Sequence, residues 1–245
     1  MKIYTTLQKG EHHLNYCEDY YFVGEIGNDK ILCAVMDGCT MATDSYFAST
    51  LIGKLLRKIS KEMSYKAFYE EESYISPESY LKTILAELFK EMVLIKNQLM
   101  LEKDELLTTL IIMLIDKKAN EGIVLAIGDG LVSINGQVTE FDQDNTPDYI
   151  GYHLHKDFEE WYNSQTQKIL FYEINDLIIA TDGIFTFIHM RKDSRADEIN
   201  PINFMLFDKT QKQNSTMLSW QLKDLALNHD LKPADDLAMI RVLRH

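Results

Sequence analysis

Cysteine is scarce in this chain: Cys17, Cys33 and Cys39 are the only ones, and no two of them form a CxxC pair. An odd, sparse set excludes a disulfide framework and argues against a zinc site. With four prolines and eleven glycines in 245 residues, long flexible linkers are not expected. No window approaches the roughly 20 consecutive apolar residues that span a bilayer. The start, Met1 to Thr6, lacks the charged and apolar pattern of a signal peptide, so the expectation is a cytoplasmic protein. Basic side chains are outnumbered as well, 25 against 38 acidic, a net charge of −13. Binding to nucleic acid or to anionic lipid begins with cationic groups displacing counterions. Neither is therefore an expected partner.

What is present is enough for one packed domain, expected to span residues 1–245. Hydrophobic residues make up 46% of the chain, too many for disorder. Tyr20–Val23 and Ile31–Met36 read as strands around the turn Gly27-Asn28-Asp29. A helix is expected over about Ser45–Lys61, with Phe47, Leu51, Leu55 and Ile59 on its core face. A connecting loop follows over Tyr65–Tyr74. Ser76-Pro77 caps the clearest amphipathic helix, whose stripe is Leu81, Ile84, Leu85, Leu88, Met92, Ile95 and Leu99.

From Thr108 the period changes. Thr109–Ile115 and Gly122–Ile127 read as buried strands. Val132–Ile134 and Gln137–Phe141 read as a hairpin through Asn135-Gly136. Asp142–Gln167 reads as irregular. Lys168–Glu173 and Asp176–Ala180 look like a second hairpin, followed by a helix over Ser215–Asn228 and a last strand over Leu237–Leu243. Strands grouped apart from helices indicate an α+β layered domain.

The chemistry lies in a recurrence. Apolar strands run into Asp37-Gly38, Asp129-Gly130 and Asp182-Gly183. Glu18-Asp19 stands before the first strand read above, and Asp235-Asp236 before the last. Taken one at a time, Asp-Gly is a common turn, and Gly128-Asp129-Gly130 suits that reading best. Taken together, carboxylates at the ends of neighbouring buried strands can converge, and converging carboxylates need protons or cations to compensate them. Oxygen donors without a His/Cys cluster suit hard cations, Mg²⁺ or Mn²⁺, over zinc.

The order and spacing of these residues resemble the metal-dependent type 2C protein serine/threonine phosphatases. Glu18-Asp19, Val35-Met36-Asp37-Gly38, Thr108-Thr109-Leu110, Ile127-Gly128-Asp129-Gly130, Ala180-Thr181-Asp182-Gly183 and Asp235-Asp236-Leu237 resemble that family's motifs in turn. The resemblance implies two packed antiparallel sheets flanked by helices, a four-layer α-β-β-α sandwich. It implies two divalent cations, Mg²⁺ or Mn²⁺, and a place for a third. Asp37 would bridge two ions, Asp182 and Asp235 would complete one site, and Glu18 with the Gly38 carbonyl would serve the other. Asp129 would hold the third ion together with Asp182, and Asp19 would orient water from behind. The implied reaction is hydrolysis of phosphoserine or phosphothreonine in a phosphorylated protein substrate by a metal-bridged water; a separate reading keeps the same site and makes the substrate a small phosphate ester or nucleotide.

The chain departs from the family in places. Many relatives place an arginine that grips phosphate four residues before the first glutamate, and here that position is Leu14. Some place a histidine after the second motif's glycine, and here that position is Cys39. These losses keep open a weak or inactive relative that binds phosphoprotein or regulates a partner. His12 or His13 is a substitute for the arginine by position, although exposed paired histidines are more often incidental.

Overall fold

The structure, a computed structural model, describes residues 1–67, 69, 75–143, 148–191 and 199–244. Strands β1 (Lys2–Gln8), β2 (Tyr20–Ile26) and β3 (Lys30–Met36) precede helices α1 (Phe47–Ala67) and α2 (Pro77–Leu99). Then come β4 (Leu110–Asp116), β5 (Glu121–Ile127), β6 (Gly130–Ile134), β7 (Gln137–Phe141), α3 (Phe158–Ser164), β8 (Lys168–Phe171), β9 (Asp176–Ala180) and β10 (Phe187–His189). The chain closes with α4 (Pro201–Phe207), α5 (Met217–Asn228), β11 (Leu231–Pro233) and β12 (Leu237–Leu243).

Two five-stranded antiparallel sheets form the centre, ordered β2-β3-β4-β5-β8 and β1-β12-β9-β6-β7. The unbroken apolar runs have a simple cause: these strands are covered on both faces. In β3, Leu32, Ala34 and Met36 meet α1 and α2, while Ile31, Cys33 and Val35 meet the other sheet. In β12, Ala238, Ile240 and Val242 face between the sheets, and Leu237, Met239 and Leu243 face α4 and α5. Three apolar layers thus separate four layers of secondary structure, the α-β-β-α sandwich expected from the sequence.

Helix α2 starts where the cap was read, with Ser76 Oγ accepting from the Ser79 amide. Its stripe leaves the core before it ends, since Leu99 is exposed. Helix α1 runs further than expected and buries Ile52 and Leu56 beside Leu55 and Ile59, while Phe47 and Leu51 lie at the margin. Most of the connection read at Tyr65–Tyr74 lies outside the described residues.

Two readings are corrected. Lys168–Ala180 is not a hairpin: β8 pairs with β5, and β9 pairs with β6 and β12. Both strands are apolar enough to alternate, and nothing local distinguishes a turn within a sheet from a crossing between sheets. Asp142–Gln167 is not wholly irregular, for it carries a short 3₁₀ turn at Ile150–His153 and α3, capped by Asp157. Trp161 and Tyr162 anchor α3 to the core below α2. The Asn135-Gly136 hairpin is as expected, with φ of 53° and 90° at the two turn residues.

The registers fix where the acids go. Tyr20 at the start of β2 pairs with Met36 at the end of β3. Val35 pairs with Ile111 at the start of β4, and Leu110 with Ile127 at the end of β5. In the other sheet, Ala180 at the end of β9 pairs with Leu131 of β6 and Met239 of β12. Every acidic motif lies just beyond one of these strand ends, so all of them lie at the same end of the sandwich.

Candidate metal centre

Chain crossings at this end lock the motifs together. Thr109 donates its amide to the Asp37 carbonyl at 2.9 Å and receives the Asp37 amide on Oγ1 at 3.1 Å. Thr108 Oγ1 also donates to the Asp37 carbonyl, at 2.7 Å. The Thr-Thr pair thus clamps the bend that presents Asp37. From the other sheet, Thr181 Oγ1 donates to Asp19 Oδ2 at 2.6 Å, and the Ala238 amide donates to the same oxygen at 2.8 Å. Asp19 therefore ties β2 of one sheet to β9 and β12 of the other.

The glycines belong to the same logic. A Cβ on Gly183 would collide with the Asp236 carbonyl, and one on Gly38 would collide with the Ser45 carbonyl and lie 2.8 Å from that of Glu18. Each glycine lets one acidic segment lie directly against the backbone of another. Gly183→Ala is expected to destabilise the chain by about 1–3 kcal/mol, the usual effect of overpacking, and to displace Asp182 from Asp235. Urea unfolding together with Mn²⁺ titration reads both effects; wild-type values in both would refute the packing account.

The acids interact, and burial is the leading influence on each. It pushes Asp37 well above the usual carboxylate range, reinforced by the charges of Asp19, Asp182 and Asp235. Burial also raises Asp19, with Asp236 and Asp182 adding to it, while hydrogen bonds to Thr181 and Asp37 pull it down. Asp182 is pushed up to about 6 by burial and by the charges of Asp235 and Asp129. Asp37, Asp182 and Asp235 thus feel one another, with Asp19 on one side and Asp129 on the other. Asp19 is 3% exposed, and its Oδ1 receives no hydrogen bond from a protein donor.

Glu18 is buried at the rim, where its Oε2 accepts from Thr40 Oγ1 at 2.8 Å. Asp235 and Asp236 differ sharply. Asp236 is 1% exposed and spends both oxygens on the chain, accepting from the amides of Gly10 at 2.7 Å and Glu18 at 2.5 Å. The Asp235 side chain is 43% exposed, with its Oδ1 accepting from the Asp236 amide at 2.8 Å. Among the described residues, no three His, Cys, Asp or Glu side chains already form a group that holds an ion. The acids gather in one region without closing on a centre. Oxygen donors and a buried carboxylate oxygen lacking a donor nonetheless fit a hard divalent cation.

Two further residues lie at this site, one weighed in the sequence and one not. His13 lies among Glu18, Asp235 and Asp236, where an incidental surface histidine was the favoured reading. Tyr149 lies near Cys39 and Asp37, and its hydroxyl is raised by burial and then by those neighbours. No local signal marks Tyr149, which reaches the site only because the segment after β7 folds back over Thr108. Leu14, at the position of the relatives' arginine, is 87% exposed.

The raised carboxyls have a consequence for the metal-free protein. Across pH 4 to 6 the folded chain keeps a proton at Asp182 that an unfolded aspartate, with a pKa of about 3.9, has released. The folded state then binds more protons, so this group's contribution to stability falls as pH rises. Asp182→Asn is expected to gain on wild type between pH 4 and 7 in EDTA, read as a widening gap in urea midpoints. A gap that stays constant or narrows would contradict the burial of this carboxyl.

Two antiparallel sheets packed between helices, with acidic residues gathered at one end, define the fold of the metal-dependent phosphatases. The family described as Protein phosphatase 2C matches residues 9–225, and the chain belongs to that family. The match stops short of Asp235, Asp236 and β12. No curated protein sequence matches the chain.

Among solved structures, the chain is similar to a bacterial serine phosphatase, with TM-score 0.60, 13% identity, and coverage of 98% of this chain and 96% of that one. It is similar to RsbX in complex with magnesium, with TM-score 0.51, 14% identity, and coverage of 98% and 92%. It is also similar to the phosphatase domain and part of the regulatory domain of SpoIIE from Bacillus subtilis, with TM-score 0.56 and 16% identity. That match covers 99% of this chain and spans 63% of the SpoIIE chain.

Proposed function

We propose that this chain, as one domain over residues 1–245, is a cytoplasmic Mg²⁺- or Mn²⁺-dependent phosphatase that hydrolyses phosphoserine and phosphothreonine in proteins. The observation that carries this reading is the burial of Asp37 and Asp182 among other acidic side chains, which pushes both carboxyls up, beside a buried Asp19 oxygen that has no donor. Such an arrangement is costly unless a cation compensates it. When bound, two such cations supply an acidified water and polarise a phosphoryl oxygen.

On this reading Asp37 holds both ions, Asp182 and Asp235 hold one, and Glu18 with the Gly38 carbonyl holds the other. Asp129 with Asp182 takes a third. Asp19, fixed by Thr181 and the Ala238 amide, orients water from behind. The net charge of −13 favours a protein substrate over nucleic acid or a membrane surface.

The test is turnover by purified chain of phosphopeptides and small phosphate esters, with Mn²⁺, with Mg²⁺ and with EDTA. Phosphopeptide hydrolysis that EDTA abolishes is the expected result. Faster turnover of small esters would change the substrate class and keep the site. A second reading, a phosphoprotein-binding or regulatory module, draws on Leu14, whose exposed side chain offers no charge to phosphate. Phosphopeptide binding by metal-loaded protein with no turnover would establish that reading and sink the first.

A further inference from the structure

We propose that His13 supplies a nitrogen ligand, through Nε2, to the cation held at Asp235, and that this ligand makes the site prefer Mn²⁺ over Mg²⁺. The inference rests on the acidic site proposed above and adds a donor that an all-oxygen site lacks.

The geometry is specific. His13 Nδ1 lies 2.9 Å from Asp236 Oδ2. Asp236 is itself pinned by the amides of Gly10 and Glu18, so it cannot swing away from the ring. A carboxylate fixed beside Nδ1 holds the ring in place with Nε2 directed at Asp235, the arrangement that orients metal-binding histidines. His13 Nε2 faces Asp235 Oδ1 at 3.0 Å. Neighbouring ligands of an octahedral ion about 2.1 Å from each stand about 3 Å apart. The pair therefore already has the spacing of adjacent ligands.

Glu18 Oε2 lies 3.8 Å from the same Nδ1, and the His13 side chain is 13% exposed. Burial of a histidine among three carboxylates is not the environment of an incidental surface residue. Imidazole suits transition-metal ions, whereas Mg²⁺ keeps to oxygen and water, so the consequence is metal selectivity.

The experiment uses the full chain loaded with Mn²⁺. Pulsed electron paramagnetic resonance is expected to show a nitrogen coupling that changes when the protein carries ¹⁵N-histidine and disappears in His13→Gln. Calorimetric titration of His13→Gln is expected to show Mn²⁺ affinity reduced by about 10–100-fold, the usual effect of losing a site's ordering groups, with Mg²⁺ affinity changed far less. The wild-type spectrum needs no variant, so a poorly folded substitution does not shield the proposal. Bound Mn²⁺ without a histidine coupling, or a coupling that persists in His13→Gln, overturns it. If that uncoupled Mn²⁺ is still lost in Asp37→Asn, the acidic site stands without His13. Failure of wild type to bind Mn²⁺ at all removes both.

Discussion

Asp37→Asn is expected to lower Mn²⁺-dependent phosphatase activity by about 10³-fold, and Asp182→Asn to do the same. Several kcal/mol of transition-state stabilisation come from correctly held cations, and on the proposed assignment Asp37 is the group common to two of them. The substitutions are close in size, and Asp37 is held through its backbone by Thr108 and Thr109, so the fold should persist. In EDTA each variant should be more stable than wild type, because a carboxyl pushed up by burial and by neighbouring acidic charges has been removed. For a chain of this size about 1 kcal/mol moves the melting temperature by about 2–4 °C, and a rise of several degrees is expected. Activity near wild type in either variant, or a lower metal-free melting temperature, would count against the site assignment.

The second large effect lies behind the site. Arg241 on β12 is fully buried, and its guanidinium forks onto Asp176 of β9, Nε to Oδ1 at 2.9 Å and Nη2 to Oδ2 at 2.8 Å. Its Nη1 donates to the Asp208 carbonyl at 3.0 Å, and Lys209 reaches Asp176 from the surface at 2.7 Å. Asp176→Ala would strand a buried guanidinium, which typically costs about 3–5 kcal/mol. Asp176→Ala with Arg241→Met should recover much of that loss, because the uncompensated charge has gone. Urea unfolding of the two variants measures this. A loss under about 1 kcal/mol in Asp176→Ala would show that the pair does not couple β9 to β12.

The layers of the fold were legible because burial on both faces leaves an unmistakable mark: Ile31–Met36 and Thr109–Ile115 carry no polar side chain between Leu110 and Ile115 or across the β3 run. The cap at Ser76 and the Asn135-Gly136 turn were legible because each is a local device. The crossing from β8 to β9 was not, since which sheet a strand joins depends on partners distant in sequence. The first strand, β1, also went unread, because its pairing with β12 joins the two ends of the chain.

At the site, the acidic motifs stood out by recurrence, yet their meeting point follows from registers that no motif encodes. The sequence showed Asp235 and Asp236 as a pair; only burial separates the half-exposed carboxylate from the one consumed by Gly10 and Glu18. Tyr149 belongs to a segment whose approach to Asp37 is tertiary, so it was not visible as part of the site, and His13 was named by position alone, with no sign of its approach to Asp235.

The most direct measurement is anomalous diffraction from a crystal of the wild-type chain soaked in Mn²⁺. The account expects anomalous density among Asp37, Asp182 and Asp235, absent from crystals kept in EDTA. Density confined to surface carboxylates, with that region empty at saturating Mn²⁺, would contradict it.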